Sequence, residues 1–262
     1  MEPAAANAVS ATSSSDEPVP ASAGHVTGAR ARNALDRVTN LEIDGVQVQG
    51  PREGFGALWR KRYWVWLRGS AATPVEIVRA WREHFGEFWP EGNAFVAPFG
   101  RLDPGDVGLL NIEMPGGARL SSGVVVLNAG PESFTLITPE GHIFAGVITF
   151  SAFRSGGTPV AQIEVVLRAS DPLFEIGMEL FGHRQEDRFW QATLANLARF
   201  FGVNAQPEMH RQLLSRNYQW SNAGNVRKNS FIRGIIARGT APFSRLAHRF
   251  RQQSAVKEQA ER

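Results

Sequence analysis

The sequence has no cysteine among its 262 residues. Disulfide bonds, thiolate metal sites and cysteine nucleophiles are therefore excluded. Long hydrophobic runs are also missing, because no stretch approaches the roughly 18 consecutive apolar residues of a membrane-spanning helix. The first residues lack the basic start and apolar core of a secretory signal, so we expect a cytoplasmic protein. No glycine-rich phosphate-binding motif is present, and we expect no cofactor.

Acidic residues are absent between Glu208 and Glu258, a stretch that carries ten Arg and Lys residues. Because the net charge of the whole chain is only +3, the rest of the chain is acidic. Short Phe and Ile stripes lie among the basic residues, which is typical of helices that lie on a membrane surface. Three hypotheses follow for this tail: a solvated segment, contact with an anionic membrane surface, or contact with a nucleic acid. The apolar stripes disfavour the nucleic acid. The membrane hypothesis rests on Arg227, Lys228, Arg233, Arg238, Arg245 and Arg249.

Composition divides the chain into four segments. Residues 1–33 are rich in Ala, Ser and Pro and have few large apolar side chains, which predicts disorder. Residues 34–58 show short apolar alternation around an Asp-Gly pair, which predicts a small β extension. Residues 59–203 hold the main domain. Residues 204–262 form a basic tail that we expect to be partly helical.

The main domain begins with an alternating strand. Thr73-Pro74 then predicts a helix start, with a capping side chain followed by proline at the first helical position. Six further strand-like segments follow, most of them separated by turns rich in Gly and Pro, which is typical of an antiparallel meander. Asp171-Pro172 repeats the helix-start pattern. The apolar spacing after it predicts a long helix that is most regular from His183 to Phe201.

The last two strands of this meander carry apolar residues on both faces. Phe144, Gly146, Ile148 and Phe150 share one face, and the mostly apolar residues between them share the other. A sheet with one face in water would show polar alternation instead. We therefore expect a sheet that is covered on one face and lines an enclosed space on the other. Gly146 also predicts a bend or the close approach of another element.

Two motifs carry a resemblance to a known family, namely T-P-E-G-H-I-F-A-G at Thr138–Gly146 and L-R-A-S-D-P-L at Leu167–Leu173. They resemble a strand-turn-strand and the entry to the last helix in DUF1990, a family of the SRPBCC (START/Bet v 1-like) superfamily. The resemblance covers residues 59–203. It implies an α+β helix-grip fold, in which a curved antiparallel sheet of about six to seven strands grips a long C-terminal helix. It also implies an apolar cavity between the sheet and that helix.

Aromatic side chains and one histidine are the candidates to line such a cavity. The predicted ligand-binding residues are His142, Phe144, Trp81, Phe85, Phe189 and Trp190. His142 follows a turn glycine at a strand entrance, and it is the best candidate for a catalytic acid or base. The alternatives are a turn histidine bonded to the backbone and an aromatic stripe that is simply core.

Charged groups elsewhere in the domain are weaker candidates. Glu164 and Arg168 share one strand face, and the apolar residues on the opposite face favour a solvated outer position for both. His183, Glu186 and Asp187 lie within about one helical turn, but their spacing matches no zinc pattern. We interpret them as a solvated turn and expect no metal.

The leading hypothesis is a non-catalytic module that binds a small apolar or lipid-like ligand between sheet and helix. The superfamily resemblance also implies an alternative, an enzyme of the cyclase or hydrolase kind that uses His142. A third hypothesis is a peripheral membrane or scaffold protein that acts through its basic tail.

Overall fold

The computed structural model describes residues 17–18, 42–43, 46–97, 102–113 and 119–228. The fold is α+β, with a large curved antiparallel sheet and a few helices. The strands are β1 (Glu42–Ile43), β2 (Val46–Gln49), β3 (Leu58–Trp66), β4 (Ala94–Val96), β5 (Val107–Glu113), β6 (Arg119–Ala129), β7 (Ser133–Pro139), β8 (Phe144–Ser155), β9 (Thr158–Ala169) and β10 (Glu208–Ser215). The helices are α1 (Pro74–Glu83), α2 (Pro172–Gly177) and α3 (His183–Phe200). Short 3-10 or π turns lie at Phe85–Phe88, Met178–Gly182 and Trp220–Arg227.

The strands follow the order β10-β3-β9-β8-β7-β6-β5-β4, and every neighbouring pair is antiparallel. The β1–β2 hairpin lies off this path and pairs with the end of β7. Eight strands thus form the continuous path, where the sequence predicts six to seven. The additional strand is β10, which pairs along the edge of β3.

β10 lies in the segment that the sequence assigns to a partly helical tail. Residues 208–215 are extended, and only the 3-10 turn at residues 220–227 is helical in this part of the tail. The sequence of β10 shows no apolar alternation, because its side chains are exposed or half-buried. Backbone hydrogen bonds to the edge of β3 hold the strand in the sheet. The basic residues Arg233, Arg238, Arg245 and Arg249 lie outside the described residues.

Two residues of the segment predicted to be disordered lie against the sheet. Glu17 forms an ion pair with Arg62 of β3, and Pro18 is buried. The remainder of residues 1–33 lies outside the described part of the chain.

The helices begin where the sequence predicts. At α1, the Thr73 side chain accepts a hydrogen bond from the Glu76 N–H, and the Glu76 carboxylate accepts one from the Thr73 N–H at 2.8 Å. At α2, the Asp171 carboxylate accepts two backbone N–H groups of the first turn. These capping bonds satisfy donors that have no partner inside the helix, so each start is fixed locally.

α1 and α3 pack against the same face of the sheet, which we call the inner face, and form the main core with it. Phe144, Ile148 and Phe150 of β8 belong to this core. The opposite, outer face is covered in part as well, because Val147 packs against Val48 of the hairpin. Both apolar faces of the strand therefore have partners, as the alternation predicts.

Gly146 is required by the close approach of β9. A Cβ at this position would lie 2.4 Å from the Val166 carbonyl oxygen and 2.8 Å from the Leu167 Cα. Both are backbone atoms of the neighbouring strand, which cannot yield without disturbing the ladder. The predicted close approach is therefore confirmed. No helix in the described part of the chain is long and apolar enough to cross a membrane.

Candidate functional site

A cavity of about 150 Å³ lies between the inner face of the sheet and the beginning of α3. Its wall is mostly apolar, and its residues come from the turn after α1, from strands β4 to β9 with the turn before β8, and from α3. The larger apolar side chains are Phe85, Trp89, Phe95, Leu110, Leu120, Leu136, Ile148, Phe189 and Trp190. Several of them pair edge-on, and Phe189 meets Trp190 and Trp89 at ring distances of 4.7 and 5.1 Å.

Most of the predicted ligand-binding residues line this cavity. They are His142, Phe144, Phe85, Phe189 and Trp190. Trp81 does not line it, because its buried ring lies in the adjacent core, edge-on to Phe134 and Phe150. Phe150 in turn contacts Trp190 at a ring distance of 5.7 Å, so Trp81 supports the wall from behind.

His142 lies in the turn before β8 and is 5% exposed. Its Nδ1 lies 3.0 Å from the Phe144 nitrogen and 3.2 Å from the Phe144 carbonyl oxygen, so this nitrogen is bonded to the Phe144 backbone in either tautomer. Gln49 of β2 donates to the His142 carbonyl at 3.1 Å. Burial lowers the pKa of His142 to about 4, although a bond to the Phe144 backbone opposes the shift. The ring is therefore neutral at pH 7.

An ion-pair cluster joins β3 to α3 beside the cavity. The fully buried Lys61 Nζ lies 2.7 Å from Glu186 Oε2 and 2.9 Å from Asp187 Oδ1. The Tyr63 hydroxyl donates to the same Asp187 oxygen at 2.7 Å. Arg211 of β10 lies 4.0 Å from the other Asp187 oxygen. The interpretation of Glu186 and Asp187 as a solvated turn is therefore wrong.

Glu186 is the acidic side chain among the residues that line the cavity. Burial raises its pKa, whereas the charge and the hydrogen bond of Lys61 act in the opposite direction. Burial and the two nearby carboxylates raise the pKa of Tyr63, so its phenol remains protonated and can only donate to Asp187 as observed. The cluster thus holds in place the carboxylate of a residue that lines the cavity.

His183 begins α3 and packs edge-on to Trp59 at a ring distance of 4.9 Å. Burial lowers its pKa to about 4, and the charges of Lys61 and Arg211 add to the shift. Among the described residues, no group of three or more His, Asp and Glu side chains is arranged to hold a metal ion.

Sequence reasoning missed Lys61 and Tyr63. Both lie on the same strand face as Val65, which is fully buried in the core. A lysine in register with an apolar strand face was the available signal, because such a charge needs a buried partner. The partner itself was not predictable from local spacing, since Glu186 lies 125 residues further along the chain.

Glu164 and Arg168 lie on the outer face, as predicted, but they are not both solvated. The Arg60 Nε lies 3.6 Å from Glu164 Oε1. Arg168 is 6% exposed and donates to the carbonyl groups of Gly56 and Asn217. The solvated interpretation is therefore wrong for both, because the Glu164 side chain is only 13% exposed. Arg168 ties the segment before β3 to the segment after β10.

No family model matches the chain, and no curated protein matches it. Solved structures with Bet v 1-like or SRPBCC-type folds are similar to it. The di-domain ARO/CYC StfQ from the steffimycin biosynthetic pathway aligns with a TM-score of 0.44 and 9% identity, over 56% of this chain and 51% of that chain. Ara h 8.0201 aligns with a TM-score of 0.39 and 10% identity, over 55% and 97% of the two chains. TTHA0849 from Thermus thermophilus aligns with a TM-score of 0.42 and 13% identity, over 55% and 96%.

At such low identities the likeness concerns the fold alone. The helix-grip description of this chain rests on its own strand order and on the position of α3 against the inner face. The resemblance to DUF1990 has no matching family model.

Proposed function

We propose that this protein binds a small apolar molecule in the cavity between its sheet and α3. The apolar wall of this cavity is the observation that carries the proposal. Apolar cavities of about 150 Å³ stay dry and accept molecules of the size of benzene. Pockets for larger ligands usually measure about 300–1,000 Å³. A lipid-like chain would require the wall to move, so we assign the cavity to ligands of one ring.

The state of His142 supports binding over catalysis. A general acid or base works best with a pKa near the operating pH and with a nitrogen in reach of the substrate. The Phe144 backbone occupies Nδ1 of His142, and the pKa of the ring is about 4. At neutral pH this histidine has neither a free Nδ1 nor a charge to offer. We therefore propose a non-catalytic module rather than a cyclase or hydrolase.

Replacing Leu110 with tryptophan is expected to weaken benzene binding to the full-length protein at least tenfold. Leu110 lines the cavity and is 5% exposed, so the indole would occupy the ligand space. Leu109→Trp is the matched control. Leu109 is the neighbour of Leu110 on β5, is 53% exposed and does not line the cavity. Calorimetry or ligand-observed NMR gives the affinities.

Circular dichroism and urea unfolding accompany this test, since overpacking a core costs about 1–3 kcal/mol. Native protein that does not bind benzene would refute the proposal. Equal weakening by the two tryptophan variants would place the binding site elsewhere.

A second proposed function is contact with an anionic membrane surface. Leu173, Ile176 and Leu180 follow a spacing of three and four residues, and they are 52%, 58% and 62% exposed. Trp220, which is 72% exposed, begins the turn that packs beside α2. Aliphatic side chains with a tryptophan suit the membrane interface. The exposed Arg227 and Lys228 follow, and the basic tail continues with Arg233, Arg238, Arg245 and Arg249.

Vesicles that contain phosphatidylserine are expected to co-sediment with the full-length protein, and the bound fraction should fall as salt rises. Leu180→Ser combined with Trp220→Ser should reduce the bound fraction severalfold. Leu109→Ser removes a leucine of similar exposure from β5 and should leave binding unchanged. Equal binding to neutral phosphatidylcholine vesicles, or no effect of the double variant, would contradict this function.

A further inference from the structure

The polar groups in the cavity wall restrict which small ring can bind, and this inference rests on the function proposed above. A purely apolar wall would select a ligand by size and hydrophobicity only. Here Glu186, whose carboxylate is held by Lys61 at 2.7 Å, is among the residues that line the cavity. Such a group is costly to bury unless its hydrogen-bonding capacity is used.

The hydrogen bonds of Glu186 leave part of that capacity open. A carboxylate offers about four acceptor positions on its two oxygens. Lys61 occupies one of them. The remaining positions accept hydrogen bonds and cannot donate them while the group is ionised. A ligand that meets Glu186 therefore has to bring a donor.

The surrounding charges indicate that this donor is neutral. Lys61 and Arg211 balance Glu186 and Asp187, so the cluster as a whole has no net charge. An anionic ligand would meet the Glu186 carboxylate as a like charge. A cationic ligand would have to leave water for an apolar cavity whose carboxylate is already paired with Lys61. A hydroxyl group satisfies the acceptor without adding charge.

The anchor is also held in place before any ligand arrives. Lys61 binds Glu186 and Asp187 at the same time, and Tyr63 fixes Asp187 through a hydrogen bond of 2.7 Å. Because these contacts come from β3, the carboxylate has little freedom to turn away. A rigid acceptor loses less entropy on binding than a mobile one.

We propose that Glu186 is the polar anchor of the cavity and that the ligand class is a neutral single ring with a hydroxyl group, of which phenol is the simplest member. The apolar wall takes the ring, and the Glu186 carboxylate accepts the hydroxyl hydrogen bond.

The test compares phenol, benzene and benzoate as probes of the full-length protein by calorimetry at pH 8. Phenol should bind about tenfold more tightly than benzene, since a hydrogen bond to a charged group contributes on that order. Benzoate should bind more weakly than benzene. Glu186→Met should bring the phenol and benzene affinities close together, while Lys61 remains paired with Asp187.

Glu164→Gln is the matched control, because the Glu164 side chain is 13% exposed, pairs with Arg60 on the outer face and does not line the cavity. This variant should keep the preference for phenol. The ratio of the two affinities within each variant is informative even if a variant is less stable. If the native protein binds benzene and phenol with nearly equal affinity, Glu186 is not the polar anchor, but the proposed function is still supported. If neither ring binds, the proposed function itself falls. Loss of the preference for phenol in Glu164→Gln would refute Glu186 as the specific anchor.

Discussion

Replacing Lys61 with methionine is expected to lower the free energy of unfolding by about 3–5 kcal/mol, the usual loss when one partner of a buried ion pair is removed. Lys61 is fully buried, and the side chains of Glu186 and Asp187 are only 8% and 14% exposed. Methionine fills a similar volume, so the loss comes from the two carboxylates left without their cation. Urea unfolding monitored by circular dichroism measures it.

The pH dependence of the Lys61→Met variant provides a second, independent signature. Burial already raises the pKa of Glu186 in the folded protein, and loss of the nearby cation raises it further. A carboxyl group whose pKa is higher in the folded than in the unfolded chain favours folding at low pH. This contribution to stability is lost as the pH rises through the pKa of the group in the folded protein. The variant should therefore be less destabilised at pH 5 than at pH 8.

Two controls separate this effect from a general loss of packing. Arg60→Met removes the neighbouring cation, which is 38% exposed and 3.6 Å from Glu164, and should cost less than about 1 kcal/mol. Lys61→Met combined with Glu186→Gln and Asp187→Asn removes the unpaired charges and should regain much of the stability. A single variant that loses less than 1 kcal/mol, or a triple variant that regains nothing, would contradict the account of this cluster.

Features of the fold that depend on neighbouring residues were predictable. The start of α1 follows from Thr73 and Pro74, because the capping bonds are made within one turn. The β8–β9 hairpin follows from Gly156 and Gly157, whose positive φ angles of 55° and 82° suit a two-residue turn. In these places local chemistry and the tertiary structure agree.

Features that depend on distant partners were not predictable. β10 has no apolar alternation, because the open edge of β3 supplies its hydrogen bonds. The spacing of Trp81 on α1 predicts an inward position, which is observed, but it cannot distinguish core from cavity wall. The burial of Glu186 depends on Lys61, and a helix turn with two acids and a histidine looks solvated when that lysine is not considered. The candidate site therefore needed the tertiary structure, whereas the fold class did not.

Replacing His142 with asparagine is expected to reduce the loss of stability in acid. The folded pKa of His142 is about 4, compared with its usual value of 6.5. Between these two values the unfolded chain binds a proton that the folded chain does not bind, so acid favours unfolding. The contribution is present above pH 6.5 and is lost as the pH falls toward 4. Its full size is about 3 kcal/mol, because one pKa unit corresponds to about 1.36 kcal/mol.

Asparagine separates titration from hydrogen bonding at this position. Its side-chain oxygen takes the place of the His142 Nδ1 and accepts the Phe144 N–H, but it does not titrate. Urea unfolding between pH 7 and pH 4 should therefore show a smaller slope in His142→Asn than in the native protein. His183, whose pKa is also about 4, contributes to both proteins and cancels in the comparison. Equal slopes would mean that the His142 ring titrates in the folded protein much as it does in water, and the catalytic hypothesis for this residue would regain its basis.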